Sequence, residues 1–376
     1  MPANSSSQPH PLFVLIGGFL GAGKTTAISV LAREFEKLGK RCAIVTNDQG
    51  LGLVDTAMAR TERRPVTEIS GGCFCCRLED LLRAVEQMSQ EHRPEVFLAE
   101  PVGSCTDLAA TVLLPLKQIY QAPLRPAPLS VMLDGRKAYD RYVSKRRGRD
   151  FAKDVTYISQ KQMEEAEILV LNKVDLLSEK QIAELTKQLE TKFPDRTILH
   201  LSAKGEVGFE AWMTHLLGPP GRPRGLRDID YARYGRGEAE LGWLNVSGTL
   251  DQELSRDEVE AVLQRLFTKI LQQLHTGGHL VAHLKVAIED PGGGLLRVQA
   301  THGEDRFETV GSLPSIVRAG RLLLNLRAQG DPEPLRVLVA QALEETLHGV
   351  AHSLTAFASF KPGEPRPTHR VAPDQN

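Results

Sequence analysis

"GFLGAGKT", residues 18–25, is the stretch from which the fold is read. Gly18, Gly23, Lys24 and Thr25 match the phosphate-binding loop pattern without a mismatch, and the flanks fit it. The apolar run "LFVLIGG" (12–18) reads as a strand, and "KTTAISVLAREFEKL" (24–38) as an amphipathic helix. Glycines at 18, 21 and 23 let backbone N–H groups wrap a β-phosphate with no Cβ in the way. Lys24 is expected to reach the β- and γ-oxygens and the Thr25 hydroxyl to ligate Mg²⁺, with Thr26 completing the nucleotide contacts.

Outward from the loop, strand-length apolar runs alternate with helical patterns. The runs are "RCAIVTN" (41–47), "EVFLAE" (95–100), "LSVMLD" (129–134), "EILVLN" (167–172) and "TILHLSA" (197–203), with "EKQIAELTKQLETKF" (179–193) among the helices. Strands apolar on both faces lie in a parallel sheet covered by helices. Residues 12–217 are therefore expected to form an α/β, doubly wound, mostly parallel P-loop domain. Gly, Pro and Arg dominate 218–238, which reads as a linker.

A smaller α+β domain is expected over 239–352. Its parts are a strand at 239–248, a helix opened by the capping box Ser255/Glu258, a hairpin across 280–303, a strand at 320–328 and a helix opened by Asp331 and Pro332. Residues 1–11 read as a disordered leader and 353–376 as a Pro-rich tail.

Asn172, Lys173 and Asp175 spell NKxD at a strand end. A carboxylate at 175 pairs with guanine N1–H and N2–H₂ and finds no donor pair on adenine, which points to GTP. "SAKG" after the next strand places Ser202, Ala203 and Lys204 at the base, with the Ala203 amide expected to face guanine O6. Glu100 and Gly103 form an ExxG at the end of an apolar strand. Glu100 is expected to serve Mg²⁺ or the attacking water, and the Gly103 amide to sense the γ-phosphate. Asp134 is left open between a Mg²⁺ role and a turn role.

Composition narrows the setting. A net charge of −1 gives no global attraction to nucleic acid or an acidic membrane, and no apolar stretch is long enough to span a bilayer. Five cysteines, an odd number, do not form a disulfide framework, so a reducing cytoplasm is expected. Three of the five fall in "GGCFCC" (71–76).

Taken together, "GGFLGAGKTT", "GGCFCC", the Glu-xx-Gly motif and NKxD resemble the CobW family of GTPases, relatives of the UreG and HypB nickel-insertion GTPases. The resemblance covers roughly 12–217. It implies a GTP-dependent metallochaperone with zinc, cobalt or cobalamin-linked clients, and implies Cys73, Cys75 and Cys76 as ligands of a transition metal, Zn²⁺ or Co²⁺. The chemistry agrees: three thiolates within four residues can hold one borderline ion and leave a position for a client's ligand. Cys105 is a candidate fourth ligand or a core residue, and Cys42, in a strand, is expected to be inert.

"TNDQGLGLVD" (46–55) is the expected first switch, with Asp48 where relatives carry Glu. GTP is expected to order the thiol loop and hydrolysis to release the ion. Other readings stay open: a redox pair among the thiols, a reactivation factor for a cobalamin-dependent enzyme, a metal-responsive module with little turnover, or an ATP-using kinase. His275, His279 and His283 read as solvated turn and strand residues before a second metal site, and the basic run "SKRRGRD" (144–150) as a solvated face before an activating arginine. Expected partners are a client apo-metalloprotein or a cobalamin-linked enzyme, and a homodimer is possible.

Overall fold

Alternate residues of the apolar strands face opposite ways, and helices cover both sides. The structure is a computed structural model that describes residues 10–47, 54, 57, 64–144, 151–301 and 307–372. Strands β1 (Leu12–Gly18), β2 (Cys42–Asn47), β3 (Val66–Ile69), β4 (Val96–Glu100), β5 (Ser130–Asp134), β6 (Ile168–Asn172) and β7 (Thr197–His200) form a parallel sheet in the order β3-β2-β4-β1-β5-β6-β7. Leu12, Val14 and Ile16 pack with helices α1 (Lys24–Lys37) and Phe209–Leu217. Phe13 and Leu15 pack on the other face with α2 (Leu78–His92) and α4 (Glu179–Lys192), and α3 (Lys153–Glu165) contributes Met163 there. This is the expected α/β doubly wound architecture, and the carboxyl ends of its strands form the ligand-binding edge. β3 escapes a pattern reading because Ile69 is its one buried residue.

The C-terminal sheet is antiparallel. Labelling the Phe209–Leu217 helix α5, the chain continues through α6 (Tyr231–Ala239), β8 (Leu241–Leu250), α7 (Arg256–Thr276), β9 (Val281–Glu289), β10 (Leu295–Thr301), β11 (Glu308–Ser312), β12 (Arg321–Gln329), α8 (Pro332–Thr346) and β13 (His352–Phe360). The sheet order is β11-β10-β9-β12-β8-β13. Ser255 and Glu258 close the capping box on α7. Leu244, Val246, Leu284, Val286, Leu324 and Leu326 pack under α7 and α8. The opposite face lies against the nucleotide domain, where the Val54 amide donates to Asn325 Oδ1 at 2.9 Å.

Two segments differ from the composition reading. The linker 218–238 contains most of α6, whose Tyr234 and Glu238 are fully buried. Residues 352–360 are not tail but an edge strand on β8; its mostly exposed pattern hides it from an apolar-run search. The chain after it, 361–372, returns across the nucleotide domain. Among the described residues no helix is long and apolar enough to cross a membrane.

Candidate nucleotide and metal site

The phosphate loop follows β1 and ends on Gly23, which caps α1 with φ +89°. A Cβ on Gly23 would sit 2.4 Å from Asn172 Nδ2, so only glycine fits between the loop and the NKxD turn. The buried Lys24 ammonium donates to Gly18 O at 2.9 Å, which holds it over the loop, and lies 3.9 Å from Glu100 Oε1. The Thr25 hydroxyl donates to that same Glu100 oxygen at 3.0 Å. Hydroxyl and carboxylate oxygens side by side next to a phosphate cradle are the donor set a hard cation such as Mg²⁺ takes, so these residues fit that ion. Thr26 follows, half-buried, on the first turn. Gly103 packs on Leu20 of the loop, where an added Cβ would meet Leu20 Cδ2 at 2.6 Å.

At the base end, Asn172 acts as a brace. Its Nδ2 donates to Ala22 O at 2.8 Å and its Oδ1 accepts from the Ala203 amide at 2.9 Å. The Ala203 N–H is thus directed at Asn172. Ser202 donates to Asp175 Oδ1 at 2.6 Å, leaving the carboxylate exposed at the rim. Lys173, in the left-handed region at φ +61°, pairs with Asp134 Oδ2 at 2.9 Å. Asp134 also accepts from the Lys137 amide at 3.1 Å. Burial opposes its charge, but Lys137 and Lys173 hold the carboxyl below the usual range, and Asp134 caps the short helix that follows. Lys204 reaches across to Glu308 of β11 at 2.9 Å.

The thiol loop makes one helical turn, with the Cys76 and Arg77 amides donating to Cys73 O at 3.0 and 2.9 Å. That turn brings the three sulfurs together: Cys73 to Cys75 2.7 Å, Cys73 to Cys76 3.2 Å, Cys75 to Cys76 3.8 Å. Tetrahedral thiolate ligands of one zinc stand about 3.8 Å apart, so Cys73 has to shift by about 1 Å to coordinate with the others. Cys105 is fully buried beside Cys73. Hydrogen bonding with the thiols of Cys105, Cys75 and Cys76 holds Cys73 well below the ordinary thiol range, while the contact with Cys73 pushes Cys76 up to about 11. Cys42, far from it, is pushed up to about 12 by burial.

Asn47 joins the two sites. It ends β2 and lines the phosphate cavity together with Lys24 and Thr25. Its Nδ2 donates to Gly72 O at 2.7 Å and Ile69 O at 2.9 Å, and its Oδ1 accepts from the Phe74 amide at 2.8 Å. One side chain thus grips the thiol loop on both sides of Cys73.

The returning chain 361–372 forms a strap over the loop. Arg366 N–H donates to Cys76 Sγ at 3.3 Å, Thr368 N–H to Cys75 O at 2.8 Å, and the Thr368 hydroxyl to Cys76 O at 3.3 Å. Arg370 fastens it to the buried Asp107 at 2.7 Å, and His369 meets the Tyr120 hydroxyl at 3.0 Å. Beneath the loop, α6 closes the other side: Tyr231 donates to Asp107 at 2.8 Å and Ser104 to the buried Glu238 at 2.5 Å.

Every expected nucleotide residue thus falls on one edge of the sheet, and the three cysteines converge. Among the described residues they are the group of at least three candidate ligands within reach of one ion. The histidines do not converge: His275 is exposed, His279 bonds Gln329 O, and His283 is buried in the cavity wall. Asp48, most of the expected switch 46–55 and nearly all of the basic run 144–150 lie outside the described residues. Sequence patterns passed over Asn47 as a clamp, the strap, and the contribution of the C-terminal sheet. An asparagine closing a strand was the one available signal for the first.

Comparison with known proteins places the chain in a family. A family model described as "CobW/HypB/UreG, nucleotide-binding domain" matches residues 12–200, half of the chain. The zinc chaperone YeiR of Escherichia coli is 28% identical over 211 residues, 55% of this chain and 58% of that protein. The zinc-regulated GTPase metalloprotein activator 1 of Dictyostelium discoideum is 31% identical over 103 residues, 24% of this chain and 21% of that one. The chain thus spans less than two thirds of either relative. The crystal structure of Zn(II)-bound YjiA GTPase from E. coli aligns with 88% of this chain and 99% of its own at 15% identity and a TM-score of 0.35.

Proposed function

The chain belongs to the CobW/HypB/UreG nucleotide-binding family, and from that premise we propose that it is a GTP-hydrolysing metallochaperone that carries zinc or cobalt on Cys73, Cys75 and Cys76 to a client protein or cofactor pathway. Lys24 and the loop glycines bind the β- and γ-phosphates, with Thr26 beside them. Asp175 reads the guanine edge, with Asn172, Lys173, Ser202, Ala203 and Lys204 shaping its pocket. Glu100 orients the hydrolytic water, and Gly103 reports on the γ-phosphate. Mg²⁺ held by Thr25 and Glu100 would supply charge neutralisation between the phosphates. Thiolates bind Zn²⁺ and Co²⁺ alike, and a three-thiol site keeps a fourth position for the recipient's ligand.

The observation that carries this reading is Asn47, which lines the phosphate cavity and holds the thiol loop with three hydrogen bonds. A change at the γ-phosphate is thereby transmitted to the spacing of the sulfurs. The nucleotide part is tested by equilibrium binding of fluorescent GTP and ATP. Wild type is expected to prefer GTP, and Asp175→Ala to lose GTP affinity by about 10–100-fold with ATP unaffected, the worth of charge-assisted hydrogen bonds. Equal loss for both nucleotides, or none, contradicts guanine recognition by Asp175.

A further inference from the structure

The C-terminal sheet has two covered faces of unlike character. Toward α7 and α8 it is apolar. Toward the nucleotide domain it carries Trp243, Asn245, His283, Lys285, Asn325 and Arg327, five of them buried and Lys285 half-buried. Polar groups cost more to bury than aliphatic ones, so docking alone does not account for this face. Strand register sets the residues in two rows, Trp243–Arg327–His283 and Asn245–Asn325–Lys285.

A cavity open to solvent separates these rows from the phosphate loop. Its floor includes Lys24, Thr25, Glu100 and Gly103, and its roof is Trp243, His283, Lys285 and Arg327. Asp175, Ser202 and Lys204 do not line it, so it lies at the phosphate end of the site. Among the described residues its charged lining is Lys24, Lys285 and Arg327 against the carboxylate of Glu100, a basin for a polyanion. The two roof cations differ. Arg327 is fully buried, stacks 4.0 Å over the Trp243 ring, and its Nη1 donates to Asn245 Oδ1, Leu326 O and Leu244 O at 2.8, 2.9 and 3.1 Å. It is a fixed positive charge. Lys285 is half-buried, and its long flexible stem lets the ammonium follow a charge that moves.

We propose that Lys285 is a catalytic residue supplied in cis by the C-terminal domain: its ammonium contacts the γ-phosphoryl group of bound GTP and neutralises charge in the transition state. This rests on the GTPase reading above. In the step, the water oxygen bonds to the γ-phosphorus as the bond from that phosphorus to the bridging oxygen breaks. The electron pair of the broken bond leaves on GDP, and the water proton ends on inorganic phosphate. Lys285 forms no covalent bond and moves no proton. A cation in this role contributes about 10³–10⁵ in rate in other GTPases. Hydrolysis would then require the C-terminal sheet to be seated on the nucleotide domain.

The test compares the full wild-type chain with Lys285→Met, Lys285→Arg and Lys24→Ala. Readouts are steady-state GTP hydrolysis, GDP binding, and formation of the complex of GDP with aluminium fluoride, a planar mimic of the transferring group. Lys285→Met is expected to lose at least about 100-fold in kcat while KM and GDP affinity change less than about threefold. It is also expected to lose the aluminium fluoride complex, and Lys285→Arg to recover part of both. Wild-type kcat, or an intact aluminium fluoride complex, in Lys285→Met overturns the assignment and leaves GTP hydrolysis standing. If wild type shows no turnover that Lys24→Ala removes, the GTPase reading falls and the assignment falls with it.

Discussion

Single residues do the joining in this molecule. Asn47 connects nucleotide cavity and thiol loop with one amide, because a planar side chain with two donors and an acceptor can hold both flanks of a turn. Buried acids beneath the strap region do a different job. Glu165 is fully buried, and accepts from the Ala109 amide at 3.0 Å and the Thr106 hydroxyl at 3.3 Å. Burial, the largest influence, pushes its carboxyl from 4.5 up to about 8. The folded chain therefore keeps a proton there that the unfolded chain has released. Between those two values this group's contribution to stability falls as pH rises, by about 1.4 kcal/mol per pH unit. Glu165→Gln, which carries no such proton, is expected to flatten the decline of unfolding free energy between pH 6 and 8 in urea titrations. Parallel slopes for wild type and variant would contradict a protonated Glu165.

At the scale of elements, the strap 361–372 is the part with most influence on the thiols. It gives Cys76 an N–H donor and bonds to the backbone of Cys75 and Cys76, whose loop would otherwise face solvent. A chain ending at Phe360 is expected to label its cysteines at least about tenfold faster with a thiol reagent, since losing one or two such hydrogen bonds is worth about 1.4 kcal/mol. Unchanged labelling would mean that the strap does not shield them. Elements with a strong period were legible in sequence: β1 with its loop and helix, the capping box at Ser255, and the hairpin on either side of the Gly-rich turn. The thiol loop was legible as chemistry because three cysteines stand in four residues. β3, β13 and α6 were not, because edge strands and a Gly- and Arg-rich helix owe their order to what they pack on. The roof of the cavity was hidden for a related reason. His283, Lys285 and Arg327 alternate with leucines and valines as any solvent-facing strand residues would, and only the docking of the sheet reveals what they face.

Among the described residues, two sheets flank a cavity and the thiol loop hangs from its edge through Asn47. The nucleotide edge, the C-terminal sheet and the strap therefore form one connected unit, and on the proposed reading a γ-phosphate enters at its centre. The most direct measurement is the zinc affinity of the reduced full chain, by competition with a chromophoric chelator, with GDP and then with a non-hydrolysable GTP analogue. Wild type is expected to bind zinc at least about tenfold more tightly with the GTP analogue, a coupling of about 1.4 kcal/mol. Asn47→Ala is expected to bind it equally in both states. Equal affinity in wild type with either nucleotide would contradict a nucleotide-driven metal carrier.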